Sequence, residues 1–241
     1  MDMAEPSSFP LDEFHAFGMA AQHFFPKLIS DEDLNDPLQR RRHFDWSWQA
    51  VRYRYRSTVE TTDEFKALLA SPSDQWQAGW GDEELTYKLE RCIYTFFMSG
   101  LSIFESLGYC LYFLGGALKP TEFLQVATPR KISLSVTGKT FSTAFPSAAL
   151  TADLNALLQT PEFGQIQEFR NLLAHRTSGR RTVRGWSDGK TSTHEETWHI
   201  PGASGAMQFS ADMLQNQLDK IDGMLKPLIT VAKDFAEGLP R

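Results

Sequence analysis

The segment best suited to chemistry is Arg170–His175, near the end of a predicted helix. It places a guanidinium, a carboxamide and an imidazole within about one and a half helical turns. An imidazole accepts or donates a proton near neutral pH, and a guanidinium stabilises charge on phosphoryl oxygens. Asn171 and His175 are four residues apart and share a face of the helix, whereas Arg170 must reach around from the flank. Arg170, Asn171 and His175 are therefore candidate catalytic residues for reaction at a phosphodiester.

Basic residues cluster in two stretches of this acidic chain. The first lies at and beyond the candidate site, where four residues are predicted to contact RNA: Arg176, Arg180, Arg181 and Arg184. The second, Arg40–Arg56, interleaves six arginines with tryptophan and tyrosine, a mixture that binds phosphates and stacks bases. With a formal net charge of −6, the chain is expected to have an uneven surface potential rather than a basic surface throughout. A solvated face paired with acidic neighbours is the alternative for Arg40–Arg56.

The elements around the candidate site can be predicted from local patterns. Thr160-Pro161-Glu162 is typical of a helix start with proline at the first position, and the helix should end by Gly179. Its apolar stripe comprises Phe163, Ile166, Phe169, Leu172 and Leu173. Two alternating segments flank an Asp-Gly turn and predict a β-hairpin at about residues 180–200. The site should thus lie between a packed helix and a hairpin.

The rest of the chain is predicted to be mainly helical. Long helices are expected over residues 38–71, 82–118 and 210–238, the last kinked at Pro227. The alternation of Ile132–Val136 indicates a short strand or extended loop. Residues 1–37 are interpreted as an N-terminal arm packed on the body. The predicted fold is a helical bundle with one β-hairpin insertion, forming a single domain over residues 38–241.

The apolar stretch from Cys92 to Leu118 contains one charged residue, Glu105, and is long enough to span a membrane. A carboxylate near mid-membrane is costly, so a buried central helix of a soluble bundle is the preferred interpretation. A buried Glu105 needs compensation, and Arg170 is a candidate partner. Glu105 is therefore predicted to support the site. The competing structural interpretation pairs Arg170 with an acid and leaves His175 as a cap of the helix C-terminus.

Cysteine and histidine usage bears on cofactors and compartment. Cys92 and Cys110 are too few for a disulfide framework and are expected to be free thiols in a reducing cytoplasm. The acidic start of the chain lacks the features of a secretory signal, which also favours a cytoplasmic location. His194 and His199 alternate around Glu196, a spacing more typical of a plain hairpin than of a metal site. No metal or cofactor is expected.

The motif Arg170-Asn171-x-x-x-His175, followed by Arg176, resembles the signature of HEPN domains, which are compact helical bundles that often dimerise. The family motif is Arg-x(4–6)-His, commonly with a polar residue after the arginine, and this chain has the four-residue spacing. The wider resemblance rests on the helical pattern from about Asp82 to His175 and on the final helix, roughly half of the chain. Many HEPN domains are metal-independent endoribonucleases of toxin–antitoxin, antiviral or RNA-processing systems.

The resemblance implies a role for each motif residue. His175 would transfer the proton, Arg170 would stabilise the phosphate, and Asn171 would orient either the imidazole or the phosphate. The groove would lie between two subunits, so a homodimer is expected, together with an RNA substrate and, in toxin–antitoxin systems, an antitoxin or other protein partner. Relatives regulated by tyrosine modification have Tyr two residues after the histidine; here Thr177 occupies that place. The alternative is a non-catalytic HEPN-like module that binds RNA, nucleotide or a protein partner.

Overall fold

The computed structural model describes residues 9–25, 40–70, 83–123, 131–175, 178–187 and 192–239, with the backbone alone for 183–187 and 192–195. The described chain is mainly helical with a small antiparallel sheet, as the sequence predicts. Its helices are α1 Leu11–Gln22, α2 Arg40–Ala70, α3 Glu83–Leu118, α4 Pro120–Phe123, α5 Leu134–Ala144, α6 Ala149–Leu157, α7 Pro161–His175 and α8 Met213–Glu237. Its strands are β1 Arg180–Ser187, β2 Ser192–His199 and β3 Ala206–Gln208.

The sheet contains the predicted hairpin and one strand more. β1 and β2 pair antiparallel in a register that runs from Arg180 opposite His199 to Ser187 opposite Ser192. β3 adds to the other edge of β2, with Met207 opposite Trp198. The predicted Asp-Gly turn lies outside the described residues. A strand of three residues is too short to produce a periodic signal, which is why only the hairpin was predicted.

The prediction of a strand or extended loop at Ile132–Val136 is wrong, because α5 begins at Leu134. The Ser133 hydroxyl accepts a hydrogen bond from the Val136 amide at 3.2 Å, which caps the helix N-terminus. Leu134, Gly138 and Phe141 are buried at helical spacing. The short alternation of apolar and polar residues at the helix start resembled the pattern of a strand. The capping serine was the local signal that favoured a helix.

The chain divides into two compact units. Unit 1 comprises residues 1–55, 102–160 and 222–241, and unit 2 comprises residues 56–101 and 161–221. The division falls within α2, α3 and α8. Arg170, Asn171 and His175 belong to unit 2, and Glu105 belongs to unit 1.

Unit 1 has an aromatic core built by α1, α2, α3 and α5. The Phe14 ring of α1 stacks on Trp48 of α2 with centroids 5.5 Å apart, and Phe17 contacts Phe44 at 5.9 Å. α5 approaches α3 closely at Gly108, where an added Cβ would lie 3.0 Å from the Leu134 Cα. Glycine is therefore required at this crossing of the two helices.

Unit 2 packs the sheet against α3 and α7. The Trp198 side chain is completely buried and meets Phe97 of α3 and Phe169 of α7. Phe163, Ile166 and Phe169 are buried along α7, as the sequence predicts, whereas Leu172 and Leu173 of the predicted stripe are half-buried. Burial of this stripe fixes which side of α7 remains available for polar residues.

Among the described helices, α3 has the length and composition to cross a membrane. The mean hydropathy of its most apolar window is 1.4, and 72% of that window is buried inside the protein. A membrane-spanning helix would expose most of its apolar surface to lipid, whereas this one packs against the protein's own residues. The burial is consistent with the central helix of a soluble protein, as predicted.

Candidate active site at the end of α7

α7 presents the candidate catalytic residues at its C-terminal end. Pro161 occupies the first position of the helix, where its missing N–H leaves no hydrogen bond unmade. Phe169 and Ile166 turn one side of the helix into the core. Asn171 and His175 are exposed, and Arg170 is half-buried beside them. The helix thus buries its apolar stripe and leaves the polar end accessible to a substrate.

Arg170 and Asn171 are joined directly by a hydrogen bond. Arg170 Nη1 donates to Asn171 Oδ1 at 2.8 Å, in an exposed position. This bond uses one acceptor position of the Asn171 carboxamide and leaves its amide group as a donor. His175 is four residues after Asn171, on the same side of the helix. The structure therefore brings Arg170 and Asn171 together by contact and His175 by its position in the helix.

His175 is the last residue of α7, where the helix dipole is negative. An imidazole at this position can take part in proton transfer to or from a bound substrate. Exposure also lets the ring meet a large substrate directly. A guanidinium, a carboxamide and an imidazole arranged in this way can bind a phosphodiester and transfer one proton beside it.

The Trp198 anchor, which we define as Trp198 with Phe97, Phe169, Gly179 and Glu90, supports the C-terminal half of α7. The Trp198 ring is nearly parallel to Phe97 with centroids 6.4 Å apart, and it meets Phe169 edge-on at 6.2 Å. Gly179, just beyond α7, lies so close that an added Cβ would be 2.1 Å from the indole ring. The position directly before Arg170 is thus fixed by packing against β2.

The polar side of the Trp198 anchor is a hydrogen bond to Glu90. Trp198 Nε1 donates to Glu90 Oε1 at 3.0 Å. Burial raises the pKa of Glu90 above its usual value, and the indole hydrogen bond partly opposes that rise. Neither residue was predicted from the sequence, although the alternation of Trp198 with Ile200, one residue beyond β2, was a signal for an inward-facing tryptophan. No local pattern pointed to Glu90, since its partner lies 108 residues away.

The arginines predicted to bind RNA have different surroundings. Arg180 is exposed, and its backbone lies opposite His199 in the sheet. Arg181 donates from Nε to Glu196 Oε2 at 2.8 Å and lies over the Phe209 ring at 4.6 Å. Its charge is therefore compensated within the sheet. The backbone of Arg184 lies opposite Glu195, whereas Arg176 falls outside the described residues.

Glu105 has partners other than the predicted Arg170. The carboxylate accepts a hydrogen bond from the Leu134 amide at 2.9 Å, at the start of α5. Its charge also acts on Arg54, whose pKa is lowered by burial and raised in opposition by Glu105. Arg54 in turn donates to the Ser102 carbonyl at 2.9 Å and to the Ser106 hydroxyl. Glu105 thus stabilises the packing of α3 with α5 and α2 in unit 1.

A groove of about 440 Å³ lies at the opposite end of α7, lined by Pro161, Glu162, Gly164, Gln165, Glu168, Ser204 and Lys220. Two contacts bridge its sides. Glu168 accepts hydrogen bonds from the Ser204 amide and hydroxyl at 3.1 and 2.6 Å. Lys220 Nζ donates to Gln165 Oε1 at 3.3 Å. These contacts hold two elements to α7, namely the loop after β2 and helix α8.

Within the described part of the chain, no group of three His, Cys, Asp or Glu side chains is placed to hold a metal ion. No protein-family model, no curated protein and no solved structure matches this chain. The functional interpretation therefore rests on the chain's own residues. The most informative of these are the polar side chains at the end of α7, because they combine exposure with complementary chemistry.

Proposed function

We propose that this protein is a metal-independent endoribonuclease of the HEPN type, with its active site at the end of α7. The observation that carries the proposal is the exposed Asn171 and His175 beside the guanidinium of Arg170, on a helix whose other side is buried. The motif spacing and the mainly helical fold agree with that family. RNA is the substrate class, because RNA carries its own nucleophile next to the phosphate.

In the proposed reaction, the ribose 2′-hydroxyl attacks the adjacent phosphorus. His175 accepts the hydroxyl proton as the new P–O bond forms. The bond from phosphorus to the 5′-oxygen breaks, and the departing oxygen takes a proton from the imidazolium or from water. The products are a 2′,3′-cyclic phosphate and a free 5′-hydroxyl. Arg170 stabilises the negative charge that builds on the phosphoryl oxygens.

Asn171 has two uses in this scheme. Its carbonyl oxygen accepts a hydrogen bond from the Arg170 guanidinium and so restricts the orientation of that side chain. Its amide group can donate to a phosphoryl oxygen. Arg180, exposed at the start of β1, extends the positive charge toward neighbouring phosphates, and Arg176 and Arg184 would add to it.

The proposal includes a homodimer, since the active groove of the resembled family lies between two subunits. It also places the protein in the cytoplasm, acting in defence or stress. The buried free thiols Cys92 and Cys110 agree with a reducing compartment. Burial raises the pKa of Cys92 to about 11, so this thiol stays protonated and unreactive at neutral pH.

Cleavage of mixed RNA in EDTA tests the proposal. Wild type should yield fragments with 2′,3′-cyclic phosphate ends, and His175→Ala should lower the rate about a hundredfold or more. Arg170→Lys should also lower the rate, because an ammonium cannot reproduce the planar guanidinium contact. His15→Ala, at an exposed histidine of α1, is the matched control and should cleave like wild type.

The second candidate is a non-catalytic module that binds RNA, nucleotide or a protein partner through the same residues. The hydrogen bond from Arg170 to Asn171 favours it, because this bond engages the guanidinium that a nuclease would direct at the phosphate. Cleavage and binding of RNA, both measured in EDTA, distinguish the two candidates. An inert wild type that nevertheless binds RNA would reject the nuclease and retain the module, and cleavage that survives in His175→Ala would reject the assigned site.

A further inference from the structure

The described part of α2 carries two large aromatic side chains that the core does not use. Trp46 is 60% exposed and Tyr53 is 76% exposed. They are seven residues apart, which places them on the same side of the helix about 10.5 Å from each other. Arg42 and Gln49 continue the same row at helical spacing. We call these four residues the aromatic row; all of them lie in unit 1.

Contacts beneath the aromatic row hold Trp46 in place. His43 meets the Trp46 ring edge-on at 5.9 Å and stacks on Phe113 of α3 at 4.7 Å. The Tyr109 hydroxyl is 3.0 Å from His43 Nδ1, which fixes the orientation of the imidazole. The Trp46 ring is therefore exposed, and the side chains packed beneath it restrict its movement. Such a ring loses little conformational entropy when a flat ligand stacks on it.

The sequence around the aromatic row is basic, although the chain as a whole is acidic. Residues 40–55 contain five arginines and one acidic residue, Asp45. Asp45 is 3.7 Å from Arg41 and accepts a hydrogen bond from Gln22 at 3.5 Å, so it is engaged within unit 1. Arg42 is four residues before Trp46, and Arg52 is three residues after Gln49. Both charges contribute to a local potential that attracts phosphate.

The basic sequence beside the aromatic row favours nucleic acid over a protein as its ligand. Trp, Tyr and Arg are enriched at protein interfaces as well as at nucleic-acid sites, whereas the excess of arginine in residues 40–55 matches the charge of a phosphate backbone. Stacking on aromatic rings next to basic side chains is how proteins bind unpaired bases. The rise of about 10.5 Å between the two residues along the helix corresponds to about three of the 3.4 Å spacings between stacked bases in one strand of B-DNA.

We infer that the aromatic row binds single-stranded nucleic acid, with one base stacked on Trp46, another on Tyr53, and the intervening phosphates attracted by Arg42 and Arg52. Gln49, between the rings, can hydrogen-bond to a base edge. RNA and DNA share this base and phosphate chemistry. The inference goes beyond the proposed nuclease, because binding at the aromatic row needs no chemistry at His175.

The test measures the affinity of the full chain for short fluorescent oligouridine and oligothymidine by anisotropy, in EDTA. All variants are made in the His175→Ala background, so that failure of the nuclease proposal cannot affect the result. Trp46→Ala and Tyr53→Ala should each weaken binding about tenfold, in line with the loss of one stacked base. Trp46→Phe keeps a ring and should recover most of the affinity. Tyr87→Ala removes a tyrosine that is 62% exposed on α3, close to Glu83 and Glu84, and serves as the matched control.

Each outcome decides the inference. Weaker binding in the two alanine variants alone, with wild-type thermal unfolding, supports it. Affinity for oligouridine with none for oligothymidine would retain the aromatic row as the binding site and would show that binding also depends on the 2′-hydroxyl or on the lack of the thymine methyl group. Equal losses in Tyr87→Ala, unchanged affinity in both alanine variants, or no oligonucleotide binding by the parent chain would overturn it. The last result would point instead to a protein partner on this face.

Discussion

Two parts of unit 2 perform opposite tasks on the same helix. The polar end of α7 carries Asn171 and His175 in solvent, whereas the three rings of the Trp198 anchor, which pack against the same helix at Phe169, are buried. Stability should therefore depend on the anchor, and chemistry on the polar end. The comparison teaches that exposed polar residues at a helix end need not contribute to folding when a neighbouring buried cluster fixes their position.

The largest expected effect is the removal of the anchor's central ring. Trp198→Ala should lower the free energy of unfolding by about 3–5 kcal/mol, because it leaves a cavity between Phe97 and Phe169. Urea denaturation followed by far-UV circular dichroism measures the loss. Trp198→Phe is the matched control: it retains a ring but removes the donor to Glu90, at a cost of about 1–3 kcal/mol. A loss below about 1 kcal/mol for the alanine variant would show that the anchor is not what holds α7.

A smaller and pH-dependent effect is expected at Glu90. Burial raises its pKa in the folded protein above the ordinary glutamate value of 4.5. The folded state then binds this proton more tightly than the unfolded state, so the contribution of Glu90 to stability is greatest below pH 4.5 and is lost as the pH rises through the folded pKa. Glu90→Gln keeps an acceptor for Trp198 and removes the titration.

Unfolding free energies measured over a pH series test this prediction. The stability of Glu90→Gln relative to wild type should increase as the pH rises from below 4.5 toward neutrality. Glu84→Gln, at an exposed acid in the first turn of the same helix, controls for the general change in charge. A difference between Glu90→Gln and wild type that stays constant across the series would contradict a raised pKa for Glu90.

The smallest effect on stability is expected at the polar end. His175→Ala removes an exposed side chain at a helix terminus and should change the unfolding free energy by no more than about 0.5 kcal/mol. Thermal denaturation of wild type and variant checks this directly. If His175→Ala were as destabilising as the anchor variants, the histidine would be a structural cap and the separation of tasks would fail.

Local sequence patterns predicted much of what surrounds the candidate site. Pro161 predicted where α7 begins, and the spacing of Phe163, Ile166 and Phe169 predicted its buried side. The Asp-Gly turn predicted the hairpin. These features depend on neighbouring residues along the chain, so a window of a few residues contains the relevant physics.

Other features depended on partners far apart in the chain. The sequence offered Arg170 as the partner of Glu105, whereas the structure places the Leu134 amide and Arg54 there. Nothing in the sequence distinguished the arginines of the stretch Arg40–Arg56 from one another. In the structure, Arg54 turns inward and donates a hydrogen bond to the Ser106 hydroxyl, whereas Trp46 remains exposed. Charge counts alone cannot separate these cases, because every arginine of a helix carries the same charge whichever way it points.

The amino-acid sequence by itself determined the candidate chemistry, since Arg170, Asn171 and His175 are defined by residue type and spacing on one helix. It also determined the mainly helical fold, because helical periodicity is a local property. Only the tertiary structure decided which groups stay in solvent and which are buried. The indole N–H of Trp198 is hydrogen-bonded to Glu90, which is 108 residues away in the chain, because a buried N–H needs an acceptor. Only folding decides which acceptor lies within hydrogen-bonding distance.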